Sequence, residues 1–211
     1  AFHRGMTEVG RECVDCHKLE NPGIINDWKD SRHAHTGVTC IDCAPIYGFG
    51  HAEEVVGKAL GSRRKEVMLL TKCGIRWAEG GRRVWDGSRA SILREIDESL
   101  ARLRTDYLDL YQLHWPDRNT NYFGQLSYQH QPETHSVPIE DTLGVLADLV
   151  AAGKIRHVGV SNETPWGTMR CIAAAEQASL PRIVSIQNPY NLLNRSFEVG
   201  LAEIAHREQV G

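Results

Sequence analysis

Four side chains with complementary chemistry stand at or just beyond the ends of short apolar runs in this sequence: Asp42, Tyr47, Lys72 and His114. Asp42 closes the run 38–41, and Tyr47 follows five residues later in a Gly-flanked loop, so an acid and a phenol can meet over one pocket. Lys72 follows the run 67–71, His114 the run 108–113 and Ser161-Asn162 the run 156–160, while Gln187 ends the run 183–187. A phenol with a pKa of about 10 is a weak acid at neutral pH, but it becomes a usable proton donor when its anion is stabilised. Taken singly, each residue has a duller reading. Asp42 can cap a helix, Tyr47 fill a loop, Lys72 serve as a surface charge and His114 sit in a core with its hydrogen bonds made.

The elements that must position these residues alternate: strand, loop, helix. The five runs are too short for helices, rich in β-branched or apolar residues and flanked by turn residues. Ser88 suits the cap of a helix to about Leu103, in which Ile92, Ile96, Leu100 and Leu103 form one apolar stripe. Pro138 suits the first turn of a helix through Ala152, with Leu143, Leu146 and Val150 inward and Gly153 in the C-terminal capping position. Further helices are expected over 165–177 and 196–207, and another after Tyr47. Such alternation implies a parallel sheet, either doubly wound or part of a (β/α)8 barrel. Polar residues at the C-terminal ends of successive strands favour the barrel. In GFGHAE, Glu53 stands where the third glycine of a dinucleotide-binding G-x-G-x-x-G would be, so that motif is absent.

At 211 residues and 41% hydrophobic content, one globular domain with a possible appendage is expected. No run approaches the roughly 18–20 apolar residues of a membrane span, and no charged-then-apolar leader is visible. A net charge of −3 without a long basic block argues against nucleic acid as a partner. Arg63-Arg64-Lys65 and Arg82-Arg83 read as solvated loop faces, and His130 and His135 as solvated loop residues. Cys73 and Cys171 read as buried small hydrophobes. The sequence leaves the oligomeric state open.

The string DCAPIYGFGHAEEVVGKAL, followed by LLTKCG, YLDLYQLHWPD, GKIRHVGVSN and IQNPYNLLNR, resembles the aldo-keto reductases, most closely their bacterial Tas-like branch. The resemblance implies an α/β fold: an incomplete (β/α)8 TIM barrel, with counterparts of about strands 2 to 6. It implies an NADP-dependent oxidoreductase that reduces the carbonyl of a small aldehyde or ketone, in the cytoplasm. Tyr47 would be the proton donor, Lys72 held by Asp42 would stabilise its phenolate, and His114 would orient the substrate oxygen. Ser161, Asn162 and Gln187 match positions that hold the nicotinamide carboxamide, and Tyr190 matches the ring that stacks on it. The family's contacts to the adenosine and 2′-phosphate lie in the last two βα units, which have no counterpart in this sequence.

Residues 1–39 read differently. Cys13-Val14-Asp15-Cys16-His17 is the C-x-x-C-H attachment signature of c-type haem, with two thioethers from the thiols and an axial ligand from the histidine. The segment looks like part of a multihaem cytochrome c, in which His33 or His35 could complete the iron. In GVTCIDC the expected histidine is replaced by Ala44, so a second haem site is broken. Cys13, Cys16, Cys40 and Cys43 also have the outline of a Cys₄ zinc site with a somewhat long gap, and an inert leader is a third reading. The domain boundary is thus a leader over 1–39 and a partial barrel over 40–211, joined within 37–43 by a natural fusion or an assembly artefact. Two alternatives to the reductase follow: a haem electron-transfer protein of the periplasm, or a fusion fragment with neither activity.

Overall fold

A computed structural model describes residues 39–120, 127–130, 132 and 136–211. Cys13, Cys16 and His17, proposed for haem, lie outside the described residues, as do His33, His35 and His135. Five parallel strands form one sheet in the order β1-β2-β5-β6-β7: β1 Thr39–Asp42, β2 Val67–Cys73, β5 Leu108–Leu113, β6 Ile155–Ser161 and β7 Ile183–Gln187. All five were expected. Between β2 and the next helix lies an antiparallel hairpin that periodicity did not reveal, β3 Ile75–Trp77 with β4 Arg83–Trp85.

The helices are α1 His51–Leu60, α2 Arg89–Leu103, α3 Ile139–Ala151, α4 Pro165–Ala178 and α5 Leu201–Arg207. Ser88 caps α2 as expected, its side chain accepting the Ser91 N–H. Thr164 caps α4 through the Gly167 N–H, with Pro165 in the first turn. Pro138 precedes α3 rather than entering it, and Gly153, at φ 71°, follows its C-terminus. The helix expected over 196–207 is broken: a 3₁₀ turn at Ser196–Glu198 is followed by α5, with Gly200 at φ 145° between them.

The sheet is curled. In a flat sheet the edge strands β1 and β7 would lie about 19 Å apart, at about 4.8 Å per strand spacing. Yet Gln187 Nε2 at the end of β7 donates to Asp42 Oδ2 at the end of β1, at 2.8 Å. Only a sheet bent like the wall of a barrel allows that reach.

Register separates the two faces. Thr71, Tyr111, Val158 and Ile183 are aligned across four strands and are all buried, in a core shared with Ile92, Ile96, Leu143, Leu146 and Ile172 of the helices. In the next aligned row Lys72, Gln112 and Gly159 stand one residue further along their strands, and a register shift between Val158 and Gly159 brings in Ser185, two residues beyond Ile183. There Gln112 Nε2 donates to Ser185 Oγ across β6 at 3.1 Å. Gly159 makes that bridge possible, because a Cβ on it would come within 2.3 Å of Ser185 Oγ.

Candidate active site

The acid, the ammonium and the imidazole arrive on three neighbouring strands. Lys72, with a side chain only 1% exposed, points its Nζ at Asp42 Oδ1, 2.6 Å away, and at the Cys43 carbonyl, 3.1 Å away. A buried ammonium needs such partners, because desolvation without them costs several kcal/mol. Asp42 is therefore shared between Lys72 and Gln187. His114 follows β5 directly, its backbone N–H bonded to the Cys73 carbonyl at 2.9 Å. Burial pushes its imidazole pKa down to about 4, helped by the Lys72 ammonium and opposed by Asp42. At neutral pH His114 is uncharged, able to donate one hydrogen bond without adding a second positive charge to the cluster.

Tyr47 is delivered by the turn at residues 45–50, in which its N–H bonds the Ala44 carbonyl at 3.0 Å and its carbonyl accepts from Ala52 at 3.3 Å. Its ring lies edge-on to His114, centroids 5.8 Å apart, with Lys72 Nζ 5.4 Å from its centroid. Tyr47 is also 44% exposed, so the phenol can be approached from solvent. The four residues proposed from sequence converge at one end of the sheet.

Two neighbouring groups have no counterpart in the sequence reading. Glu53 of α1 is wholly buried, accepting from Thr71 Oγ1 and from Arg102 Nε, both at 2.6 Å. Thr71 precedes Lys72, so this carboxylate ties α1 and α2 to the strand carrying the ammonium. Glu95 of α2 accepts the Gly74 N–H at 3.0 Å and the Ser91 hydroxyl at 2.8 Å. Burial pushes its pKa up to about 7 despite those bonds. The visible signal for both is a glutamate at an inward position of an amphipathic helix.

Ser161 and Asn162 lie beside this cluster. Ser161 Oγ donates to the Gln187 carbonyl at 2.8 Å, and Asn162 Nδ2 to the His114 carbonyl at 2.8 Å and Ser161 Oγ at 3.2 Å. Among the described residues, Asn162 Oδ1 and Gln187 Oε1 accept no hydrogen bond, and Gln187 Nε2 has spent one hydrogen on Asp42. Two open carbonyls and one open N–H complement a primary carboxamide, which offers two donors and one acceptor. The donor set therefore fits the nicotinamide carboxamide. Tyr190 is not drawn into the cluster: its hydroxyl bonds Glu198, and its ring is 6.3 Å from Phe197.

Of the four cysteines with the outline of a zinc site, Cys13 and Cys16 lie outside the described residues. Cys43 is buried, its thiol donates to the Leu70 carbonyl at 3.3 Å, and burial pushes its pKa up to about 12. Cys40 is exposed, and no group of three metal-ligating side chains occurs among the described residues. No helix among them is long and apolar enough to cross a membrane. Cys73 and Cys171 are buried, as expected.

The family model "Aldo/keto reductase family" matches residues 31–211. The chain belongs to the aldo/keto reductase family. The match starts ahead of the boundary expected at residue 40. Protein tas of Escherichia coli is 47% identical over 186 residues, covering 82% of this chain and 54% of that protein. The glycerol dehydrogenase of Gluconobacter oxydans superposes with a TM-score of 0.65 at 31% identity, over 84% of this chain and 49% of that one. An aldo/keto reductase from Klebsiella pneumoniae, solved with NADP and acetate, gives 0.63 at 27% identity, over 99% and 59%. This reductase-family chain spans about half the length of the curated relatives it matches.

Proposed function

We propose that this chain carries the reacting end of an NADP-dependent carbonyl reductase, with Tyr47 as the proton donor to an aldehyde or ketone oxygen. The carrying observation is the convergence of a solvent-accessible phenol, a buried ammonium and a neutral imidazole within one cluster. A nicotinamide, when bound, supplies the hydride to the carbonyl carbon. Asn162 and Gln187 hold its carboxamide through their open carbonyls and the remaining Gln187 N–H, and Ser161 keeps Asn162 in place. Tyr190 has a ring suited to stacking, in keeping with the family pattern.

The proton moves from Tyr47 Oη to the carbonyl oxygen, leaving a phenolate. Lys72 stabilises that anion across the cluster, and Asp42 keeps the ammonium aligned and its charge balanced. His114, neutral at working pH, donates a hydrogen bond to the same substrate oxygen. NADP as the cofactor is supported by the likeness to a reductase solved with it.

The test is NADPH consumption with a small aldehyde, wild type against Tyr47→Phe. The variant removes one hydroxyl and adds no volume, and turnover is expected to fall about 10²- to 10⁴-fold, the usual contribution of a general acid. Undiminished turnover would remove Tyr47 from the role.

A further inference from the structure

Tyr47 sits in a turn, and turns are the softest parts of a fold. Two contacts oppose that softness, and both come from the β3–β4 hairpin. Trp77 Nε1 donates to the Ile46 carbonyl at 3.2 Å, and the Trp77 ring stacks on Phe49 with centroids 4.4 Å apart and planes 27° apart. These contacts fall on the residues one before and two after the phenol, 31 and 28 positions away from Trp77 in the sequence. Phe49 is 70% exposed and holds a φ of 57°, a backbone conformation that side chains adopt only when something keeps them there. The other side of the turn is walled by Gly50, where a Cβ would come within 2.9 Å of Arg102 Cδ. The hairpin is short, with three residue pairs, and it is anchored where Gly74 meets Asp86 and Glu95.

We propose that Trp77 is a positioning residue for Tyr47: it pins the turn from the hairpin side and so fixes the distance of the phenol from Lys72 and His114. This rests on the reductase reading, in which Tyr47 gives up a proton. A phenol displaced by even an ångström loses the alignment that proton transfer needs, while substrate binding is little affected.

Trp77→Phe keeps an aromatic ring against Phe49 and deletes the indole N–H; Phe49→Leu deletes the stack and keeps the N–H. Amide hydrogen–deuterium exchange on peptides spanning residues 44–52 reads the brace directly and needs no turnover. Each variant is expected to speed exchange there about two- to tenfold, the loss of roughly one hydrogen bond, with exchange in β5 and β6 unchanged. In turnover with NADPH and a small aldehyde, kcat is expected to fall by a similar factor with KM for the aldehyde held. Combining the two substitutions should cost less than the product of the single effects, since both act on one brace. Unchanged exchange at 44–52 in both variants overturns the proposal, and so does faster exchange with undiminished kcat. Tyr47→Phe assayed in parallel separates the two readings. If it keeps its turnover, the proton-donor assignment falls; if it loses turnover while Trp77→Phe does not, only the positioning role falls.

Discussion

Two carboxylates, Asp109 near the N-terminal (lower) end of β5 and Asp42 at the C-terminal (upper) end of β1, are each bound to cations, and they differ in what they leave open. At the lower end, Asp109 accepts from Leu69 N–H at 3.0 Å, Arg64 at 2.9 Å and Arg156 at 2.7 Å. Both guanidiniums also pack on the ring of Tyr107, 4.1 and 4.3 Å from its centroid. The Asp109 side chain is 6% exposed, and both of its oxygens are bonded. At the upper end, Asp42 is 32% exposed, and its partners adjoin an accessible phenol and amide groups with bonding capacity to spare. A buried charge cluster by itself does not mark a site. Unspent hydrogen bonds with a route to solvent do.

The sharpest way to break this contrast is to remove one charge from each end. Lys72→Met is expected to lower kcat for aldehyde reduction about 10²- to 10³-fold, as for loss of an electrostatic stabiliser, and to cost less stability in urea than breaking a fully buried pair, because Asp42 is 32% exposed and keeps its bond from Gln187. Asp109→Ala should do the reverse. It leaves the Arg64 guanidinium, 11% exposed, and the buried Leu69 N–H without their acceptor and is expected to cost roughly 3–5 kcal/mol of stability, with turnover per folded molecule intact. A stability loss in Lys72→Met equal to that in Asp109→Ala would erase the distinction.

Acidity offers a second, smaller test, because the upper end holds two groups that titrate far from their ordinary values. His114 has its pKa lowered from 6.5 to about 4, so its contribution to stability is present above pH 6.5 and is lost as pH falls toward 4. Glu95 has its pKa raised from 4.5 to about 7, so its contribution is present below 4.5 and is lost as pH rises through 7. The slopes oppose each other. Denaturant titrations of His114→Gln should show stability falling from pH 4.5 to 7, and those of Glu95→Gln should show it rising from pH 4 to 6.5. Each change is up to about 3 kcal/mol across the window.

The smallest effect belongs to Arg156, whose side chain is 58% exposed. Arg156→Ala leaves Asp109 with Arg64 and the Leu69 N–H, and should cost about 1 kcal/mol or less by chemical denaturation. A loss as large as that of Asp109→Ala would mean that the lower cluster depends on both cations.

The residues proposed to carry chemistry were legible because most of them follow, or end, a strand with its own hydrophobic signal. Asp42, Lys72 and His114 could be placed on adjacent strand ends without any long-range information, and α2 announced itself through Ser88 and its apolar stripe. The bracing residues were not legible. Ile75–Trp77 and Arg83–Trp85 are too short for periodicity, and the Trp77 contact to Ile46 bridges 31 positions. Arg64 was misread for the same reason: inside a run of charges it looks solvated, yet its partners are Val67, Thr105, Tyr107 and Asp109. For Tyr190 the motif suggested a stacking ring, whereas the bond of its hydroxyl to Glu198 was not legible.

The bond that closes the curl also sets an order of events during synthesis. Lys72 and Asp42 are 30 residues apart and can pair soon after both leave the ribosome, whereas Gln187 follows Asp42 by 145 residues. At about 5–20 residues per second, that delay is roughly 7–30 s. For roughly 6–23 s of that interval, between synthesis of Lys72 and of Gln187, the nascent chain contains the ammonium and the carboxylate without the amide that completes them. The half of the pocket proposed for proton transfer is therefore synthesised first, and the side proposed to receive a dinucleotide last.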